Sequence, residues 1–485
     1  MDLILPKKNQ IGVLVVYLAI GIIFCIQLYK VENIYTSDYI YVLTSYFLVA
    51  GVWIGYIFRY GYYIFDPSTM IATITIITFS IEPLISMITR DTLLSGTDVY
   101  DGCIKATTIY IIGMCAFLWI YYHKFTFGKN NEVESQVDWD YEYCKNSKLI
   151  FLAYIFVLIG VGVSLVDLLM QGFSLQYILS AGSQGTLETS EDSLGVFLNL
   201  RYFMLPGFLY MDAYSDKKII KNFLRFVAIM CFFMRNKRWI IVLLILSPIV
   251  FYYIRRQKKP PLKRILIVSI PLVVAIGAMQ YMRGISSSIS AVDWSNFGLI
   301  NIWGAFSGNF DLYKTLYGAV TYFPDEHFYT MGQQLVYLTL VTCIPRSIWP
   351  DKPVSIIDNE LKVHFMGNGA VRGHWAYAQI TEFYVEFGVT GVIVCMCIFA
   401  ILCKKLRKCY QQPESLHDLV LSSVMFPMLM QFVIRGYMPI NFWATFFMVL
   451  PIFIMKIAER VRVKDISFVQ QEGDRNGEDN KKLYL

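Results

Sequence analysis

Twelve apolar runs alternate with short polar segments along the chain, and nearly all are long enough to cross roughly 30 Å of hydrocarbon at about 1.5 Å per residue. They lie at 11–28, 39–58, 68–88, 104–122, 149–170, 196–214, 219–234, 239–254, 265–282, 376–403, 416–434 and 440–457. The pattern predicts an all-α polytopic integral membrane protein with about 12 transmembrane helices. Four regions follow: helices one to nine over 1–282, a large extracytoplasmic loop over 283–375, helices ten to twelve over 376–463, and a polar cytoplasmic tail over 464–485 expected to lack regular structure. The first run follows Lys7 and Lys8 without a small-residue cleavage site, so it reads as a retained helix. No internal repeat of 20 to 50 residues is visible.

Charge orients this arrangement. With the first end in the cytoplasm, about 28 of the 42 Lys and Arg fall in cytoplasmic loops, as the positive-inside rule requires. They include the run Arg255, Arg256, Lys258, Lys259, Lys263 and Arg264. The outer minority differs in type, because Arg dominates it: Arg90, Arg201, Arg235, Arg238, Arg283, Arg346, Arg372 and Arg435. A guanidinium fork suits bidentate binding of phosphate oxygens, so the set suggests an external anion site, with interfacial snorkelling as the plain reading of any single member.

Composition excludes other classes. Of the 485 residues 56% are hydrophobic and 16% charged, against about 25% charged in soluble domains, which is too little to coat a soluble enzyme of this size. The net charge of +6 belongs to topology, since no basic soluble domain exists to bind nucleic acid. Among ten Cys, Cys25, Cys115, Cys231, Cys395 and Cys397 lie in apolar runs, and no spacing indicates a zinc site or a disulfide framework.

Candidate chemistry gathers on the outer side. The loop from Arg283 to Trp375, roughly ninety residues, is far longer than ordinary connections. Apolar stretches such as Leu335 to Ile344 predict short amphipathic helices lying at the interface, roofing an external site. The turn Arg235-Asn236-Lys237-Arg238 follows a run short enough to place its cations within the membrane boundary, where an anion would have to compensate them; a cytoplasmic positive turn is the alternative. Three Pro in Pro345-Arg346-Ser347-Ile348-Trp349-Pro350-Asp351-Lys352-Pro353 prevent a regular helix and set out Trp349 and Asp351 as a sugar-facing surface, or as a structural turn with an Arg–Asp pair. Finally, Arg372 and His374 precede a helix carrying Gln379, Glu382 and Glu386. The two acids, four residues apart, share a face, and His374 lies two turns from Glu382. His374 can accept a proton near neutral pH; Glu382 could do so if burial raised its pKa, or could orient a substrate hydroxyl. The plain readings are a polar helix start for His374 and an ion pair for Glu382.

These motifs, with Arg435-Gly436 at the outer end of the eleventh helix, resemble the bacterial O-antigen and capsule polymerase family, Wzy, and more distantly the O-antigen ligases. The stretch from His374 is similar to the ligase pattern of a His before a helix ending in acid-x-Gly-x-x-Gly, here Glu386 to Gly391, with Trp375 where ligases usually have Asn. The resemblance implies a GT-C-like glycosyltransferase architecture in the bacterial plasma membrane, with its active site facing the extracytoplasmic side. It implies transfer of a growing glycan from undecaprenyl diphosphate to the non-reducing end of an incoming lipid-linked repeat unit, inverting, without nucleotide sugar, cofactor or metal. Within it, His374 would be the base with Glu382 as understudy, and Arg235, Arg238, Arg283, Arg346, Arg372 and Arg435 would hold the diphosphate. Partners would be membrane lipids, a flippase and a chain-length regulator. The alternatives are a ligase-type glycan transferase and a flippase for lipid-linked oligosaccharides.

Overall fold

A computed structural model describes residues 7–61, 65–94, 97–123, 147–170, 195–234, 237–256, 312–345, 348–353, 355–366, 376–411 and 413–482, with a few positions between 261 and 277. The long helices are α1 (Lys7–Gln27), α2 (Thr36–Tyr60), α3 (Pro67–Ile76) continued through a π turn (Ile77–Ile81) into α4 (Glu82–Thr89), α5 (Cys103–Tyr122) and α6 (Ser147–Met170). After a 3₁₀ segment (Gly195–Phe203) come α7 (Met204–Tyr214), α8 (Lys218–Met234) and α9 (Arg238–Arg255). The loop region carries α10 (Tyr313–Tyr322), a π segment (Gln333–Leu338) running into α11 (Thr339–Val341), and a second π segment (Ile357–Leu361) running into α12 (Lys362–Met366). The chain closes with α13 (Gln379–Gln411), α14 (Leu416–Ile434) and α15 (Met438–Lys482). A two-residue antiparallel hairpin, β1 (Leu93–Leu94) with β2 (Thr97–Asp98), is the sheet among the described residues.

Eight helices among the described residues are long and apolar enough to cross a membrane, and they coincide with eight of the twelve apolar runs. Three further runs form the shorter helices α7, α8 and α9. The run at 265–282 is helical at Ile267, Ile270, Pro271, Val274 and Gly277 and otherwise lies outside the described residues.

Side chains divide the bundle into two cores. One joins α1 to α5 with α10 and α13; the other joins α6 to α9 with α14 and α15. Lipid-like surroundings give apolar helices no solvophobic reason to associate, so close approach depends on small residues. Gly113 on α5 faces Val392 of α13, where a Cβ would come within 2.8 Å of the valine, and Gly207 on α7 faces Val157 of α6 in the same way at 2.9 Å.

Near the junctions of α2 with α3, α13 with α14 and α7 with α8, polar groups close into pairs. Asp66 caps α3, accepting from Ser68 N at 2.9 Å, and also accepts from Tyr121 Oη at 2.7 Å and faces Arg407 Nε at 3.4 Å. Tyr210 Oη and Glu459 sandwich His417, each 2.7 Å from a ring nitrogen. Asp212 holds Lys221 at 2.6 Å and Arg225 beside it.

Two expectations change. α10 is no amphipathic interfacial helix: Tyr313 to Val320 are buried without a break, because Gly102 and Gly318 let its backbone press against α5 and Phe365. In the tail, α15 continues as helix to Lys482, with no proline after Pro451 to stop it.

Candidate functional site

The acid-x-Gly-x-x-Gly stretch is where α13 breaks. Phe387 (φ −142°, ψ 18°) and Gly388 (φ 65°, ψ −151°) leave helical geometry, which divides α13 into a short N-terminal piece and a long C-terminal one. Gly388 occupies a region of backbone space essentially restricted to glycine. A Cβ there would also lie 2.8 Å from Tyr329 Cζ. Gly391 follows because a Cβ at that position would strike Phe383 O and Phe387 Cβ, both at 2.6 Å. The motif's two glycines thus serve one purpose, a helix break closely covered by aromatic rings.

A break orphans the carbonyls of the preceding turn, and buried carbonyls need donors. A strap from the outer loop supplies them: Thr330 N donates to Val385 O at 3.1 Å and Met331 N to Glu386 O at 2.9 Å. Glu386, fully buried, then accepts from Gly332 N and, at 2.7 Å, from Leu335 N. Its carboxylate therefore caps the π segment Gln333–Leu338, where the unsatisfied N–H groups and positive helix end favour an anion. Gly332 (φ 93°) makes the turn into that segment.

Glu382, one turn earlier and also fully buried, accepts from Met438 N with both carboxylate oxygens at 3.1 Å, at the start of α15. The turn between α14 and α15 packs backbone to backbone on α13. Gly436 N donates to Tyr377 O at 2.8 Å, and a Cβ on Gly436 would meet Gln379 N and Cα at 2.6 Å. Arg435 ends α14, its carbonyl accepting from Asn441 Nδ2. Trp443 Nε1 donates to Thr339 O at 2.8 Å, tying α15 to α11. The two acids that share a face each hold a different helix start, and together they clamp the strap and the α14–α15 turn around the outer end of α13.

Other candidate residues fall as follows. Trp349 is half-buried and Asp351 exposed, in a turn built by Trp349 N to Pro345 O (3.1 Å) and Lys352 N to Trp349 O (3.3 Å), with Lys352 Nζ reaching Ile344 O at 3.1 Å. Arg238 begins α9, its side chain outside the described set. Arg235, Arg283, Arg346, Arg372 and His374 lie outside the described residues. Of the remaining outer arginines, Arg90 pairs with Glu32 at 3.0 Å on the surface, and Arg201 lies buried 4.0 Å from Asp167. The strap itself, with Tyr329 and Gly332, escaped the sequence reading; the signal available was Met331-Gly332 ahead of an apolar run.

A bundle of membrane-length helices, with a broken helix clamped at one end by buried acids, defines a polytopic membrane protein. Its family is narrower: the chain belongs to the O-antigen polysaccharide polymerase Wzy family, whose model matches residues 9–460. No curated protein and no solved structure matches the chain significantly. Membership implies O-antigen polymerase function, a glycosyltransferase-type activity on lipid-linked oligosaccharide repeat units in a membrane.

Proposed function

We propose that the protein elongates a surface glycan at the extracytoplasmic face of the bacterial plasma membrane. The growing chain leaves undecaprenyl diphosphate and joins the non-reducing end of the incoming unit. The observation that supports this reading is the clamped break in α13: Glu382 and Glu386 hold the piece of helix before the break, and Arg372 and His374 precede that piece in sequence.

The acceptor hydroxyl oxygen attacks the anomeric carbon, the bond from that carbon to the phosphate oxygen breaks, and its electron pair leaves with the diphosphate. The hydroxyl proton passes to a base, for which His374 is proposed. One displacement inverts the anomeric centre. The diphosphate departs without protonation and calls for preorganised cations, the role proposed for Arg235, Arg238, Arg283, Arg346, Arg372 and Arg435. A donor already activated as a diphosphate requires no nucleotide sugar. Burial and the two bonds to Met438 N support Glu382 as a positioning residue, with His374 alone as the base. Trp349 and Asp351 are proposed to face sugar.

The test is incubation of the purified protein, in lipid nanodiscs, with a lipid-linked repeat unit. A ladder of products formed without nucleotide and in the presence of a chelator supports the reading; movement of lipid across the bilayer without new bonds overturns it. His374→Ala is expected to abolish the ladder. Persistence of long chains in His374→Ala at normal expression would refute the base assignment.

A further inference from the structure

Outside the clamp, one cluster of ionisable and aromatic side chains on the loop has no role in the scheme above. Tyr322, the last residue of α10, lies among two imidazole–carboxylate pairs drawn from two segments. His327 Nδ1 donates to Phe328 O at 2.6 Å, which turns Nε2 toward Glu360 Oε2 at 3.1 Å. His364 Nδ1 lies 3.5 Å from Glu326 Oε2. Rings surround the phenol: His327 stacks on it at 6.2 Å and 11°, and His364 tilts against it at 4.9 Å. Burial, then the charges of Glu360 and Glu326, push the Tyr322 phenol above its ordinary range, as expected where hydroxyl and carboxylates share one patch.

Stability does not explain this arrangement. The paired side chains are 33% to 57% exposed, and ion pairs so open contribute little. The anchor here is the neighbour: Phe323 is fully buried, and its carbonyl accepts from Tyr384 Oη of α13 at 2.9 Å. Nor do the groups converge as a cation site; they pair off two by two, and among the described residues no three His, Cys, Asp or Glu could hold a metal.

The groups present do match a polyhydroxylated ligand. An ionised carboxylate has about four lone-pair sites, so Glu326 and Glu360 each retain acceptors for hydroxyl donors. Histidine and tyrosine supply groups that donate or accept, and the aromatic rings offer flat apolar faces for the C–H face of a pyranose. Position fits as well, because a single stretch of chain runs from Tyr322 through the exposed Phe328 into the strap that Glu386 holds.

We infer that Tyr322, with the Glu326–His364 and Glu360–His327 pairs, forms a subsite of the outer loop that binds the glycan of the lipid-linked substrate. This rests on the polymerase reading, for which it names where sugar beyond the diphosphate is gripped.

The probe is free oligosaccharide released by mild acid from the host's own lipid-linked repeat units. Its binding to the full chain in nanodiscs is read by saturation-transfer NMR, alongside polymerisation kinetics with the intact lipid-linked unit. Tyr322→Ala is expected to raise KM about tenfold, the equivalent of one lost stacking contact, with kcat within about twofold and the saturation transfer lost. Tyr322→Phe, which keeps the ring, should stay within about threefold of wild type. Glu326→Gln, a more exposed change, keeps the chain intact and should raise KM alone. Unchanged KM and unchanged saturation transfer in Tyr322→Ala and Glu326→Gln, or equal loss in Tyr322→Ala and Tyr322→Phe, would overturn the subsite. If wild-type protein bound the oligosaccharide yet never extended the lipid-linked unit, the polymerase reading would fail while the subsite stood.

Discussion

Replacing Gly388 by alanine tests the break in α13 directly. The residue sits at φ 65° and ψ −151°, where a side chain costs about 1–3 kcal/mol in backbone strain alone. The added methyl would also lie 2.8 Å from Tyr329 Cζ and 2.9 Å from its Oη, well inside van der Waals contact, so the ring must move by the better part of an ångström. Overpacking of that kind typically adds about 1–3 kcal/mol. If the two effects add, Gly388→Ala loses about 2–6 kcal/mol. The steric part falls on the strap that carries Tyr329, so polymer synthesis should drop further than folding does. The assay pairs a glycan ladder in a polymerase-deficient host with thermal melting followed by fluorescence-detected size exclusion. Tyr329→Ala in the same chain removes the clash and leaves the dihedral, so the double variant should recover about half of the lost stability. A Gly388→Ala protein that melts and polymerises like wild type would refute the broken helix.

Glu386→Ala strands the buried N–H groups of Gly332 and Leu335, at about 1–3 kcal/mol for each, and limited proteolysis should then cut within 329–338. For Glu382, glutamine keeps an oxygen for Met438 N whereas alanine does not; as a positioning residue it predicts that Glu382→Gln retains most polymerisation and Glu382→Ala loses it, and an inactive, fully folded Glu382→Gln would instead restore the base assignment. Gly436→Ala drives a methyl to 2.6 Å from the backbone of Gln379, with no flexible side chain to yield, and should reduce expression and melting temperature together; tolerance at wild-type levels would contradict the α14–α15 packing. Asp66→Asn weakens the contacts to Arg407 and Tyr121 at the opposite end, so it should lower the melting temperature while the KM of the surviving protein stays unchanged; a raised KM would contradict a purely structural role.

Periodicity and run length made the membrane class and eight of the spans legible, because spanning lipid imposes a length and an apolar composition on each helix. The pair Glu382 and Glu386 was legible as a shared face for the same geometric reason. What those carboxylates touch was not, since among their partners are the backbone N–H groups of Met438, Gly332 and Leu335, which every sequence offers everywhere. α10 was not legible for a related cause: Tyr313 to Val320 mixes Lys, Thr and Tyr with small residues and forms no long apolar run, yet Lys314 is buried with its ammonium on Leu93 O and Asp91. The glycines were visible as a pattern, but only the dihedrals and the neighbours at Gly388 and Gly391 say that the pattern encodes a break.

The position of that break bears on the choice between polymerase and carrier. Carriers that alternate access place discontinuous helices near the bilayer midplane, in corresponding positions of two repeats, and leave the freed carbonyls to coordinate ions or substrate. Here, among the described residues, α13 is the one span interrupted by non-helical dihedrals, and Phe387 and Gly388 fall in the first third of a 33-residue helix. The carbonyls of Val385 and Glu386 are already taken by Thr330 and Met331. At the opposite end, Asp66 faces Arg407, Asp212 faces Lys221 and Arg225, and His417 faces Glu459, so those polar groups are paired in place. With paired charges at one end and its single described break spent on holding a strap at the other, the chain shows, among the described residues, no second break to match the first as alternating access would use.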